Sequence, residues 1–164
     1  MKKSFFLAAL LVVLGATMVY AQPRAIGARL GYGAEFSYQH GFGDSNMLEL
    51  EVGVPAFSGL EAAITYDWID PFGATVPWNE KGEWHWYMGV GGQVATGFNF
   101  KSVYLGAAGR FGIEYDFWFP MQLSIDWRPS LGVALAGNGN GGVAAGFGYD
   151  LYAGGIGLGI RYKF

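Results

Sequence analysis

The chain has 164 residues, enough for one domain and little more. It is 52% hydrophobic with 28 glycines and only 14% charged residues, a balance unlike that of ordinary water-soluble domains. It lacks cysteine, which excludes disulfides and thiol chemistry, and its formal net charge of −3 argues against a nucleic-acid partner.

Met1-Lys2-Lys3 is a short basic segment, Phe5 to Gly15 is apolar, and Val19-Tyr20-Ala21 supplies small residues at a signal-peptidase site. Residues 1–21 are therefore expected to be a cleaved signal peptide, and residues 22–164 the mature domain. Without Lys2 and Lys3, 8 basic residues face 13 acidic ones. No later segment approaches the roughly 18 consecutive apolar residues of a membrane-spanning helix.

The mature domain alternates with a period of two. Ile26 to Tyr38 reads as one strand, with Ile26, Leu30, Phe36 and Tyr38 on one face and Arg29, Glu35 and Ser37 on the other. After a turn at Gly43 to Asn46, Leu48 to Val54 alternate with Glu49, Glu51 and Gly53. Leu60 to Trp68 carry Glu61 and Asp67 on the polar parity, and Asp70 to Gly82 reads as a loop. Trp84 to Val94 place His85, Tyr87 and Gln93 opposite Trp86, Met88 and Val90. Val103 to Tyr115 oppose Arg110, Glu114 and Asp116 to Leu105, Phe111 and Ile113. Met121 to Trp127 set Ser124, Asp126 and the following Arg128 against Leu123 and Ile125. Ala136 to Gly142 has loop composition, Val143 to Leu151 is a weaker strand, and Ile156 to Phe164 is the last. The expected total is eight strands. A helical reading fails for want of a 3.6-residue period.

Charge placement separates a membrane barrel from a soluble sandwich. Of the 21 charged residues after the leader, 14 fall on the polar parity of a strand and the other seven lie in turns, loops or strand ends. A midplane Arg or Lys facing lipid costs roughly 2–4 kcal/mol, which enforces such segregation. The polar face is otherwise rich in glycine, alanine and serine, as a narrow lumen requires. The fold class read from these residues is all-β: an eight-stranded antiparallel transmembrane β-barrel, closed by pairing of the first and last strands. Its interior is just wide enough for side chains to fill. Arg29, Glu35, Glu49, Glu51, Glu61, Arg110, Glu114, Asp126, Arg128 and Arg161 are expected to form a structural charge network inside it. Arg110, Glu114, Asp126 and Arg128 are expected to cluster, and Arg29, near Arg161 and Lys163, to need Glu51 or Glu61 across the lumen. Tyr38, Trp68, Trp84, Trp86, Tyr115, Trp118, Phe119 and Phe164 lie near strand ends, as interfacial girdles do.

Three segments carry a family resemblance: Ala25 to Gly33, Leu123 to Pro129, and Gly157 to Phe164. They resemble recurrent segments of small porin-family outer-membrane β-barrel proteins of Gram-negative bacteria. The last strand, with Leu158, Ile160, Tyr162 and Phe164 on one face, resembles the C-terminal signal read by the barrel-assembly machinery. The resemblance implies a location in the cell outer membrane and contact with its lipid and lipopolysaccharide. It carries no catalytic residues, cofactor or metal. The peptidoglycan-binding domain of larger relatives is expected to be absent, and the barrel to be a monomer.

An enzyme is not expected. A lipid A deacylase needs serine, histidine and an acid together near the outer rim, and neither His40 nor His85 has a serine at a fitting local spacing. The palmitoyltransferase type begins with an amphipathic helix, for which residues 22–25 leave no room. His40 with Asp44, and Asp70 with Glu80 and Glu83, lack metal-ligand spacing. Two roles stay open: a membrane-structural or surface-interaction barrel, and a narrow channel or transporter for small molecules, hydrophobic ones included.

Overall fold

A computed structural model describes residues 22–70, 81–137, 142–150 and 155–164. The leader, most of the loop between Asp70 and Gly82, residues 138–141 and residues 151–154, with the end of the weaker strand at Leu151, lie outside the described residues. The strands are β1 (Gln22–Leu30), β2 (Gly33–Gly41), β3 (Asn46–Pro55), β4 (Gly59–Ile69), β5 (Gly82–Gly97), β6 (Ser102–Phe117), β7 (Met121–Trp127), β8 (Ser130–Gly137), β9 (Val143–Asp150) and β10 (Ile156–Lys163).

Eight of them, β1 to β7 and β10, close an antiparallel ring. β10 pairs back on β1, with Gly27 opposite Arg161 and Leu30 opposite Leu158. Closure leaves the eight ring strands without an unpaired edge strand among them. β8 and β9 lie outside the ring and extend one side of it.

The stagger of the ring is fixed by the pairing. From Arg29, one ladder row runs through Glu35, Gly53 and Glu61 to Ala95 of β5. The opposite row runs through Gly159, Ser124 and Glu114 to His85 of the same strand. The two arrivals differ by the ten residues between His85 and Ala95, so the strands are strongly tilted. The rim away from the termini consequently climbs in a spiral, from the β1–β2 turn to the β8–β9 hairpin.

The eight ring strands are not the eight read from alternation. Ile26 to Tyr38 is two strands, β1 and β2, folded at Gly31–Tyr32, where the Gly31 amide donates to Gly33 O at 3.0 Å. The turn pairs Leu30 with Ala34, an even offset, so the alternation runs through it unbroken. The segment from Ser130 to Gly137, in part expected as loop, is β8. β7 and β8 continue one register along β6: Trp127 faces Phe111 and Ser130 faces Ala108. Between them Pro129 has no amide to donate to the ladder. The last two expected strands pair with these two, β9 with β8 and β10 with β7, and only β10 belongs to the ring.

Burial is inverted relative to a water-soluble domain. Among the described residues the buried apolar side chains are Ala25, Met47, Ala63, Ile69, Tyr87 and Ala108, whereas 18 polar or charged ones are buried. The large apolar residues on the other parity are exposed, as Ile26, Leu50, Ile64, Leu105, Ile125 and Ile160 are, or half-buried, as Leu48 and Ile113 are.

Candidate functional site: the barrel lumen

The interior is filled by ion pairs that cross from wall to wall. Nearest the spiral rim, Arg128 of the β7–β8 break meets Glu35, Glu51 and Glu61 from β2, β3 and β4, with Nη2 to Glu35 Oε1 at 2.7 Å. Arg29 of β1 lies beside it. Its Nη1 donates to Glu35 Oε2 at 2.9 Å, its Nε to Asp126 Oδ1 at 2.8 Å and its Nη2 to Gly155 O at 2.6 Å. Glu51 sits across the lumen, 3.5 Å from Arg29 Nε.

One layer further in, Arg110 bonds Asp126 Oδ2 at 2.9 Å, pairs with Glu49 and lies over the Tyr87 ring at 5.1 Å. The Tyr87 hydroxyl donates to Asp126 Oδ2 at 3.2 Å. Below, Arg161 of β10 reaches Glu49 Oε1 at 2.6 Å, Ser37 Oγ at 2.7 Å and Ser124 Oγ at 2.7 Å. Gln39 donates its amide to Glu49 Oε2 at 2.9 Å. At the mouth that holds the termini, Arg24 pairs with Glu114, and Lys163 with Asp116.

The cluster expected of Arg110, Glu114, Asp126 and Arg128 therefore divides. Arg110 and Asp126 bond directly, Arg128 belongs to the layer above and Glu114 to the terminal mouth. Arg29 and Arg161 do not share a carboxylate; Arg161 takes Glu49 and Lys163 takes Asp116. Glu114's partner was hidden by a bulge. The β1–β2 register jumps from Pro23–His40 to Ala25–Gln39, so Arg24 is the extra residue and leaves the parity of its neighbours. Tyr87, Gln39 and Gln122 carry no charge to draw attention, although their polar parity placed them inside.

Glycine on the inner parity makes room for these long side chains. A Cβ at Gly157 would sit 2.5 Å from Arg29 Cζ, and one at Gly112 would sit 2.5 Å from the Tyr87 ring. The lumen charges are thus accommodated by deletion of side chains on the facing wall.

Above the Arg29–Arg128 layer lies a cavity of about 220 Å³, lined by Arg29, Glu35, Glu61, Gln93 and Arg128 beneath the β1–β2 turn. On β5, directly opposite Glu114, His85 Nδ1 meets Asp70 Oδ2 at 2.6 Å, with Glu83 3.5 Å from Nε2. His40 hydrogen-bonds Tyr38 at 3.1 Å. Among the described residues no three potential metal ligands come together.

Comparison with protein-family models, curated proteins and solved structures gives no match.

Proposed function

We propose that this chain is a monomeric integral barrel of the bacterial outer membrane, exported by removal of residues 1–21, with a sealed lumen. Its role on this reading is membrane-structural or surface-interacting, without catalysis. The observation that carries it is the inversion of burial: among the described residues 18 polar or charged side chains are buried, most of them in the lumen, and large apolar residues cover the outside. Soluble monomers rarely expose more than a few hundred Å² of contiguous apolar surface. Lipid is the solvent for which that exterior is stable.

Lipid and lipopolysaccharide are then the partners of the outer wall, and the assembly machinery the partner of β10 during insertion. Sealing results from the four arginine-centred layers, whose members are almost all buried. The cavity above Arg29 and Arg128 favours a second reading, a narrow channel or transporter for small molecules.

Membrane fractionation and single-channel recording on the refolded chain test the proposal. Recovery in the outer membrane and silence in planar bilayers are expected. Regular conductance steps would select the channel, and recovery in the soluble fraction would overturn the membrane reading.

A further inference from the structure

We propose that the open side of β9 is a docking edge for an extended segment of another polypeptide. Among the described residues β9 pairs with β8 alone, whereas each ring strand has a neighbour on both sides. β1 accompanies β10 only as far as Leu30, opposite Leu158, and the chain then turns back into β2. β9 lies beyond that point, towards the high end of the spiral rim, so its open side stands above the β1–β2 turn. In an antiparallel ladder every second residue of β9 directs its N–H and C=O away from β8. From Val143 to Gly148 these groups form a row that no described strand uses.

The edge carries none of the devices that usually blunt one. From Val143 to Tyr149 it has no charge and no proline, and its register with β8 runs without a bulge. Its outward face continues the apolar wall. Val143 and Phe147 are 71% and 73% exposed, on the side that carries Leu131, Val133 and Leu135 of β8. The other face presents Ala144, Gly146 and Gly148, small residues that let a further backbone approach.

The chemistry of the edge selects its occupant. On the membrane reading above, lipid reaches the apolar face and has no groups to complete an open ladder, so a strand is required. Two copies of the chain cannot supply it to each other. The two-fold axis that relates antiparallel strands of one sheet stands normal to the sheet, and it inverts the barrel axis. Barrels inserted in one direction never meet that way, and a parallel pairing would set the outward face of one against the inward face of the other. The segment that fits is therefore foreign, extended and uncharged. It carries large apolar residues at alternate positions, to extend the wall beside Phe147, and small ones between. The edge itself rests on the strand pairing; only the exclusion of lipid and of a second copy rests on the membrane reading.

The test exploits a chain without cysteine. A Cβ at Gly146 would meet nothing within 4 Å, so Gly146→Cys adds one thiol at the middle of β9. The probe is a peptide of the sequence from Val143 to Tyr149 with cysteine at its centre, activated as a pyridyl disulfide. Antiparallel pairing centred on position 146 sets Phe147 against Ala145 and brings the two sulfurs together. Exchange joins chain to peptide and releases thiopyridone, which is followed by absorbance. In dodecyl maltoside the reaction should saturate with peptide and run at least about ten-fold faster than with a peptide carrying proline on both sides of its cysteine. Phe57→Cys, at an exposed turn, should react equally with both peptides. On the unaltered chain, a cysteine-free peptide should slow hydrogen exchange from Val143 to Gly148, and its proline counterpart should not. If Gly146→Cys does not fold, the exchange measurement decides alone. Equal rates with the two peptides at Gly146→Cys, or unchanged exchange, would overturn the edge. Linked dimers of Gly146→Cys in vesicles without peptide would overturn the foreign occupant, because a second copy would then fill the edge. A chain that binds the peptide but fractionates as soluble would support the edge and refute the membrane reading.

Discussion

Arg110 meets Asp126, Glu49 and Glu51 with its side chain fully buried, so its removal strands carboxylates where no water replaces it. Arg110→Ala is expected to cost about 3–5 kcal/mol, as breaking a buried pair does. Removing Asp126 as well should cost less than the two single losses summed, because each deletion removes the other's unpaired charge. Urea unfolding in lipid vesicles measures the cycle, and additive losses would show that the two groups are separately hydrated. A second residue-scale cost lies in the β3–β4 turn, where Ala56 and Phe57 adopt φ of 47° and 54°. A turn with both central residues left-handed suits Asn-Gly, whereas a residue with a Cβ pays roughly 1–2 kcal/mol there. Replacing Ala56-Phe57 by Asn-Gly should raise stability by at least about 1 kcal/mol in the same assay; an unchanged midpoint would mean that Phe57 contributes an offsetting contact.

At the scale of the strand, alternation made most of the wall legible and left its connectivity hidden. Leu50, Ile64 and Ile125 are exposed and Ser124 is buried, on the parities read from sequence. On the membrane reading proposed above, arginine at Leu50, Ile64 or Ile125 is expected to destabilise the folded form by roughly 2–4 kcal/mol where the position lies near the midplane. Parity alone would make Ser124 a tolerant position, but its hydroxyl accepts from Arg161 at 2.7 Å, so arginine there displaces an existing guanidinium. Gln93, at the cavity, is the tolerant inward site. Urea midpoints of the Ile64→Arg and Gln93→Lys chains test the contrast, and equal losses would refute the assignment of faces. A two-fold period cannot mark a turn that preserves parity, which is why Leu30–Ala34 passed as strand interior. Nor does it report which inward charges meet, because that depends on the ten-residue stagger and on the bulge that turns Arg24 inward.

At the scale of the molecule, the ring and the upper hairpin are separable in the pairing pattern. β7 is bonded directly to β10, with Trp127 opposite Ile156, so the ring closes below the point where β8 and β9 begin. β8 rests on residues Ser102 to Ala108 of β6, and β9 rests on β8. Every carboxylate and guanidinium of the four lumen layers belongs to β1–β7, β10 or Arg128. Excising residues 131–153 would join Ser130 to residue 154 and leave a short loop between neighbouring antiparallel strands, the connection such strands ordinarily use. The shortened chain is expected to fold as a closed barrel with heat-modifiable mobility and protease resistance. Its stability should fall by the lost β6–β8 pairing, and Arg110→Ala should cost as much in it as in the full chain, since the lumen is intact. A chain that no longer folds would show that β8 and β9 help to close the ring. One that folds but tolerates Arg110→Ala would show that the hairpin holds the lumen layers in register from above.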